Sequence, residues 1–181
     1  MQKPKLWQRL VALGVMAALI AIDQLVKLWA QGALRTGLRV VVIPGVLGLR
    51  LARNAGISFG WLGGSRGAMV AVMVVTGLVM AFGLMMLVWG KLENHGQLWS
   101  VTLVLAGGIG NLIDRVAQGY VVDYFEFLFM RFAIFNIADI LITFGVAWLM
   151  IVILRGESRR RKLLPEEPME EPAEEPTEET A

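Results

Sequence analysis

The chain has 181 residues, of which 56% are hydrophobic and 18% are charged, and its formal net charge is +2. So large an apolar share, gathered in blocks, excludes an ordinary soluble domain and indicates a membrane protein. The absence of cysteine excludes disulfides, thiolate nucleophiles and thiolate metal sites. A single histidine, His95, argues against a histidine-ligated metal or a Ser-His-Asp triad.

Four apolar segments are each long enough to cross a bilayer, which takes about 20 residues. They lie at about 10–30, 67–90, 97–115 and 134–154. The second span has no ionisable group, which predicts a purely structural role for it. The first span could also be a cleavable signal peptide. Its length, and the placement of Asp23 and Lys27 four residues apart on one helical face, favour a retained span in which these two charges neutralise each other or brace the following hairpin.

The segment 35–65, between the first two spans, is predicted to form a small β-hairpin. A run of β-branched residues, the turn pair Pro44-Gly45 and an alternating apolar segment are typical of that motif. We expect the hairpin to lie at the headgroup surface, with Arg50 and Arg53 near lipid phosphates. The predicted fold class is therefore an α-helical membrane protein with four transmembrane helices and a small extracytoplasmic β-hairpin, or β-cradle, element.

Charge suggests the topology. Basic residues precede the first span and follow the fourth, so the positive-inside rule places both termini in the cytoplasm, although five arginines in the outer loop run against it. Residues 163–181 contain eight Glu and no Lys or Arg, which leaves +10 on the rest of the chain. We predict a four-span transmembrane domain over 1–155 and a basic, then acidic, disordered cytoplasmic tail over 156–181 without a catalytic role.

The acidic residues of the spans are predicted to share one end of the bundle. Asp23 and Asp114 come late in the first and third spans, Asp139 comes early in the fourth, and Asp123 lies in the loop between spans three and four. Because successive spans run in opposite directions, these positions fall on one side of the membrane. A carboxylate in hydrocarbon costs roughly 2.5–3.5 kcal/mol on insertion scales, so the cluster predicts a membrane-embedded active site.

Two of these carboxylates, Asp123 and Asp139, suit acid–base hydrolysis of an amide. Neighbouring carboxylates share a proton, so one can activate water while the other donates to a carbonyl oxygen. Asn136, three residues before Asp139, could orient that carboxylate or bind substrate backbone. The alternative is that Asp139 caps its helix and Asp123 is simply hydrated.

The segment from Gly107 to Arg115 is rich in glycine, which allows another helix or a substrate to approach closely. Asp114 adjoins Arg115, and an ion pair there would keep Asp114 in its charged form. Such a carboxylate suits a structural role better than proton exchange, so Asp123 is preferred as the partner of Asp139. A Ser58–Lys27 hydrolase is a minor alternative.

Five pieces of sequence, in this order, resemble the lipoprotein signal peptidase (signal peptidase II) family of bacterial membrane aspartyl proteases over residues 10–155. They are Asp23-Gln24-Leu25-Val26-Lys27, Asn54-Ala55-Gly56-Ile57-Ser58-Phe59, the run from Gly107 to Arg115, Gly119-Tyr120-Val121-Val122-Asp123-Tyr124 and Phe135-Asn136-Ile137-Ala138-Asp139. The resemblance implies that Asp123 and Asp139 are the catalytic dyad. It implies that the supporting residues are Asn54, Gly108, Asn111, Arg115, Asn136, Asp23, Lys27 and Asp114. Tyr124 departs from the more common phenylalanine, a change expected not to touch the site.

The resemblance also implies a substrate, a prolipoprotein whose cysteine carries diacylglycerol and which is cut on the amino side of that cysteine. It further implies inhibition by globomycin-like cyclic peptides and a place in the bacterial inner membrane, with the site at the outer leaflet among membrane lipids. We expect a monomer with no metal, cofactor or nucleic acid. The signal peptide is expected in a groove left by Gly107, Gly108 and Gly110, with the hairpin and the 119–133 loop closing over it.

Two other classes remain open from the residues alone. A small proton-coupled transporter could use the same aspartates, although a proton relay should spread them through the depth of the bilayer. A non-catalytic assembly factor could use the glycine face, and it would not need Asp123.

Overall fold

The computed structural model describes residues 3–55 and 66–163. Within them, four helices are long and apolar enough to cross a membrane. They are α1 (Leu6–Ala33), α2 (Arg66–Val88), α3 (His95–Gln118) and α4 (Ile137–Leu163). The four predicted spans are confirmed, with ends within about four residues of those expected except at the C-terminal end of α4.

Three strands form an antiparallel sheet in the order β1-β2-β3. They are β1 (Val40–Ile43), β2 (Leu47–Asn54) and β3 (Val121–Phe127). The predicted hairpin is confirmed as β1 and β2, with the expected turn between them. The expectation that Asp123 lies in a loop is wrong, because Asp123 sits on β3 and pairs with Ala52 of β2. The β-branched and aromatic residues of 121–127 are a local strand signal that was missed, whereas the partner strand β2 is far away along the chain and could not be read from it.

Helix α3 lies at the centre of the bundle and packs against the other three helices. Its glycines make this possible, because a Cβ at Gly107, Gly108 or Gly110 would collide with a neighbouring helix. The groups covering them are Ala138 and Ile142 on α4, Met80 on α2 and Asp23 on α1. The expectation that these glycines leave room for a substrate is therefore wrong, since the protein's own helices already fill that space.

Helix α3 also sets the direction in which the chain enters β3. It begins at the N-cap Asn94, whose side chain accepts a hydrogen bond from Gln97 N, and it ends at Gly119, which adopts φ +78°. Glycine adopts this left-handed conformation without steric cost, and Gly119 thereby ends the helix and directs the chain into β3.

The last helix is longer than expected. Helix α4 continues to Leu163, so the prediction of a disordered tail from residue 156 is wrong for 156–163. The acidic part of that predicted tail lies outside the described residues, as does Ser58.

Candidate active site

Three buried charged side chains lie beneath the site. Lys27 Nζ lies 2.8 Å from Asp23 Oδ2 and 2.9 Å from Asp114 Oδ2, and all three side chains are buried. The predicted pairing of Asp23 with Lys27 is confirmed, although Lys27 reaches α3 and not the hairpin. With Lys27 engaged on three sides, a role as a general base has no support.

The expected ion pair between Asp114 and Arg115 is wrong. Asp114 turns inward to Lys27, whereas Arg115 donates from NH1 to the carbonyl of Asn111 at 3.2 Å. Adjacent helical residues point in directions about 100° apart, so neighbours in sequence are poorly placed to pair. Asp114 also accepts a hydrogen bond from Val122 N at 3.1 Å, which fixes the start of β3 against α3.

The first turn of α4 is held by side chains from three parts of the chain. The free N–H groups at the start of a helix need acceptors. Ala138 N donates to Asp23 Oδ1 at 3.1 Å, and Asp139 N donates to Asn136 Oδ1 at 2.9 Å. In return, Asn136 N donates to Asp139 Oδ2 at 3.1 Å, which completes a capping box.

Tyr124 supplies the remaining acceptor at this helix end. Its hydroxyl accepts a hydrogen bond from Ile137 N at 3.3 Å, and the residue is only 1% exposed. The expectation that a tyrosine at this position does not touch the site is therefore wrong. A phenylalanine there would fill the same space without offering the oxygen.

Asn111 connects the buried charges to Asp139. Its Oδ1 accepts from Lys27 Nζ at 3.0 Å and from Asn136 Nδ2 at 3.2 Å, while its Nδ2 donates to Asp139 Oδ1 at 2.8 Å. The ammonium of Lys27 can only donate, so the Asn111 oxygen must face it. The amide N–H of Asn111 is thereby directed at Asp139.

Asp123 is held on both oxygens by amides. Asn54 Nδ2 donates to Oδ2 at 3.0 Å and Asn136 Nδ2 donates to Oδ1 at 2.7 Å. Burial raises the pKa of Asp123 to about 6, and the negative charge of nearby Asp139 adds to the rise, while the two amide hydrogen bonds oppose it. The alternative of a simply hydrated Asp123 is wrong, since the residue is 1% exposed.

The two aspartates meet through one residue. Asn136 donates from its side chain to Asp123 and from its backbone to Asp139. Of the two, Asp123 is fully buried, whereas Asp139 is half-buried and borders an open groove of about 370 Å³. Helix α4, the segment before it and the ends of β2 and β3 line the groove. The lining residues are Asn54, Phe127, Phe132, Ala133, Ile134, Phe135, Asp139, Ile140, Thr143 and Phe144.

Sequence reasoning placed the groove on the wrong elements and missed Gln24. The groove follows an aromatic cluster in which the rings of Phe127 and Phe135 lie 4.9 Å apart. The density of phenylalanine between residues 125 and 135 was the available signal. Gln24 Nε2 donates to Asp114 Oδ1 and to the carbonyl of Gly110, both at 3.1 Å. Its position between Asp23 and Lys27 gave no sign of this role.

Comparison with known proteins agrees with this arrangement. A family model described as signal peptidase (SPase) II matches residues 15–155. The chain belongs to the signal peptidase II family. It is therefore a peptidase, and its four apolar helices make it a multi-pass membrane protein.

Several relatives in this family are lipoprotein signal peptidases. One from Lactococcus lactis subsp. lactis is 35% identical over 153 residues, covering 84% of this chain and 99% of the relative. One from Clostridioides difficile is 36% identical over 147 residues, covering 81% and 97% of the two chains. One from Streptococcus thermophilus is 38% identical over 151 residues, covering 83% and 97%.

Solved structures share the fold. A bacterial membrane enzyme solved by the in meso method superposes with a TM-score of 0.77 at 27% identity, covering 92% of this chain and 99% of that one. A second, described in the same words, gives a TM-score of 0.73 at 27% identity, over 84% and 96%. The predicted fold class and family are confirmed, and nothing among these relatives supports a transporter.

Proposed function

We propose that this protein is an aspartyl endopeptidase that removes the signal peptide from diacylglyceryl-modified prolipoproteins, cutting on the amino side of the lipidated cysteine. The observation that carries the proposal is the convergence of Asp123 and Asp139 on Asn136. Asp123 is buried and has a raised pKa, whereas Asp139 accepts hydrogen bonds from neighbouring donors. Two carboxyl groups in such different environments can serve one as the acid and the other as the base.

The surroundings assign the two roles. Asp139 accepts hydrogen bonds from Asn111 Nδ2 and Asn136 N and lies in the first turn of α4, where a negative charge is favoured. We therefore assign Asp139 the role of base. Asp123, whose pKa is raised to about 6 mainly by burial, holds the shared proton and is the acid.

The reaction follows from these roles. Asp139 removes a proton from water as the water oxygen bonds to the scissile carbonyl carbon, and Asp123 gives its proton to the carbonyl oxygen. When the tetrahedral intermediate collapses, the C–N bond breaks and the leaving nitrogen takes the proton from Asp139. Asp123 regains its proton from the hydroxyl that becomes the new carboxyl group.

The groove beside Asp139 suits the substrate. Its aromatic and aliphatic lining fits the apolar end of a signal peptide, and Asn54, Asp139 and Thr143 are the polar residues on its wall. A diacylglyceryl group in the leaflet would hold the scissile bond at the height of the aspartates. We place the site at the outer leaflet of the inner membrane with both termini in the cytoplasm, and we expect a monomer that globomycin-like cyclic peptides inhibit.

Single substitutions Asp123→Asn and Asp139→Asn test the proposal. General acid–base groups contribute about 10²–10⁴-fold, so each variant should lose at least a hundredfold in cleavage of a lipidated precursor. The matched control is Glu93→Gln, which neutralises an exposed carboxylate in the loop at the opposite end of the bundle. Size-exclusion chromatography and circular dichroism in detergent should show all three variants folded. Cleavage at the native rate by either aspartate variant would contradict the proposal.

A further inference from the structure

One charged cluster lies apart from the aspartates, on the sheet. Glu126 on β3 is nearly buried and accepts from Arg39, with Oε2 2.6 Å from Nε and Oε1 2.8 Å from NH2. Arg50 NH2 lies 3.2 Å from the same Oε1. One carboxylate thus holds two guanidinium groups, and the three side chains together carry a net charge of +1.

The sheet is shaped to allow this cluster. Gly48 of β2 pairs with Glu126 of β3 on one side and with Val41 of β1 on the other. Arg39 directly precedes β1. A Cβ at Gly48 would come 3.2 Å from Leu128 Cδ2 and 3.4 Å from Arg39 Cγ, so Arg39 passes Gly48 at close range on its way to Glu126. The contact of Arg50 with Glu126 brings it to the same cluster.

Both arginines stay half-exposed, at 48% and 42%, although Glu126 is 9% exposed at its side chain. A carboxylate satisfies only part of a guanidinium's five N–H donors. Two half-exposed guanidinium groups that share Glu126 thus retain donors for a further ligand, and forked N–H donors suit the oxygens of a phosphate.

The neighbouring strand is apolar on both faces. Every residue of β1, Val40–Ile43, is about half-exposed. An edge strand in water normally carries charges or alternates with polar residues. The turn after β1 is joined to the aromatic segment that follows β3, because Leu128 N donates to the carbonyl of Val46 at 3.0 Å, and Phe129 beyond it is 63% exposed.

The depth of the cluster follows from α1. Tyr124, two residues before Glu126 on the same face of β3, packs with Ala30 and Leu34 at the end of α1. Helix α1 is long and apolar enough to cross a membrane, and the sheet lies beside its C-terminal end. A span of this kind ends close to the headgroups, so we expect the Arg39–Arg50 pair, with apolar β1 beside it, at that depth.

We propose that the Arg39–Arg50 pair, held by Glu126, binds the phosphate of an anionic phospholipid whose acyl chains lie against β1. Such a contact would anchor the sheet at a fixed height, and with it Asp123, which shares strand β3 with Glu126. The inference rests on membrane insertion and on the sheet, and it does not depend on peptidase activity.

The test measures lipid association directly, without substrate. The full-length protein is reconstituted in phosphatidylcholine bilayers with a small fraction of spin-labelled phosphatidylglycerol, and its relative association constant is obtained from the immobilised fraction. Each basic residue near an anionic surface contributes about fivefold in affinity. We expect Arg39→Gln/Arg50→Gln to lower the association constant for phosphatidylglycerol at least fivefold, with no change for spin-labelled phosphatidylcholine.

The matched control is Arg35→Gln/Arg131→Gln, which removes the same charge from two exposed arginines outside the cluster. It should retain the preference for phosphatidylglycerol. Equal losses in the two double variants would overturn the site in favour of general surface charge, and an unchanged constant in Arg39→Gln/Arg50→Gln would overturn it outright.

A second variant covers the possibility that the glutamine pair disrupts the sheet. Arg39→Lys/Arg50→Lys keeps the charge but loses the forked donors, so it should fold and bind phosphatidylglycerol more weakly than the native protein. Native affinity in this lysine variant would show that charge alone suffices and would overturn the proposed guanidinium site.

Discussion

Asp123 and Asp139 carry the same functional group in opposite surroundings, and that difference is the basis of the proposed chemistry. Asp123 is enclosed by β2, β3 and Asn136, whereas Asp139 faces the groove from the first turn of α4. Enclosure disfavours a negative charge on Asp123 and raises the pKa of that carboxyl. The proposed mechanism therefore assigns the role of acid to Asp123 and the role of base to Asp139.

The raised pKa of Asp123 predicts how activity depends on pH. Asp123 must be protonated to act as the acid, and raising the pH through its pKa of about 6 removes that proton. We expect kcat/KM for a lipidated precursor to fall on the alkaline side with a midpoint near pH 6. A rate that stays constant between pH 5 and pH 8 would contradict the assignment of Asp123 as the acid.

Asn54 provides a second test of the same group. Its hydrogen bond stabilises the charged form of Asp123 and so lowers the pKa of that carboxyl. Asn54→Ala should raise the pKa, and the alkaline limb of the kcat/KM profile should move to higher pH. Gln31→Ala, on α1 outside the site, is the control and should leave the profile in place. A shift to lower pH in Asn54→Ala would reverse the expected sign and refute this role.

The packing of α3 against α4 sets the positions of the residues around Asp139. Asn111 and Asp114 lie on α3, and Asp139 lies on α4, so the relative position of the two helices sets the hydrogen bonds among these residues. Gly107 sits where the backbone of Ala138 approaches α3 most closely. Close helix approach through small residues is the usual way in which membrane helices pack.

Gly107→Ala should therefore separate the helices at the site. Overpacking costs about 1–3 kcal/mol, and we expect a lower midpoint of thermal unfolding in detergent together with a loss of cleavage of at least tenfold. Gly14→Ala, on α1 with open space around it, is the matched control. Exposed helical glycines gain about 0.5–1 kcal/mol when replaced by alanine, so the control should be as stable as the native protein or more so. Equal stability and activity in both variants would show that this contact does not position the dyad.

At the scale of the whole molecule, the described residues concentrate their buried charges at one end of the bundle. Asp23, Lys27 and Asp114 join the same network as the dyad, and the sheet covers that end. At the other end, α2 and α3 are joined by a short link that carries exposed Glu93. The two ends of the molecule are thus chemically distinct, as the proposed site at one leaflet requires.

The absence of cysteine makes the proposed orientation simple to test. Arg35→Cys lies at the sheet end and Glu93→Cys at the opposite end, and both side chains are exposed. In intact spheroplasts a membrane-impermeant maleimide should label Arg35→Cys at once, and Glu93→Cys only after permeabilisation. The reverse pattern would place the aspartates at the inner leaflet and contradict the proposed topology.

The amino-acid sequence by itself predicted the four spans, the first hairpin and a cluster of acidic residues at one end of the bundle, and the family resemblance selected Asp123 and Asp139 from that cluster. Apolar blocks of bilayer length and turn residues are local signals, and a carboxylate placed among apolar residues is conspicuous wherever the chain takes it. Only the tertiary structure decided that Asp114 pairs with Lys27, that Tyr124 helps to cap α4, that β3 completes the sheet and that the open groove runs along α4 and not over the glycines. Each of these depends on contacts between segments far apart in the chain, whose geometry is set by packing and has no counterpart in local residue order.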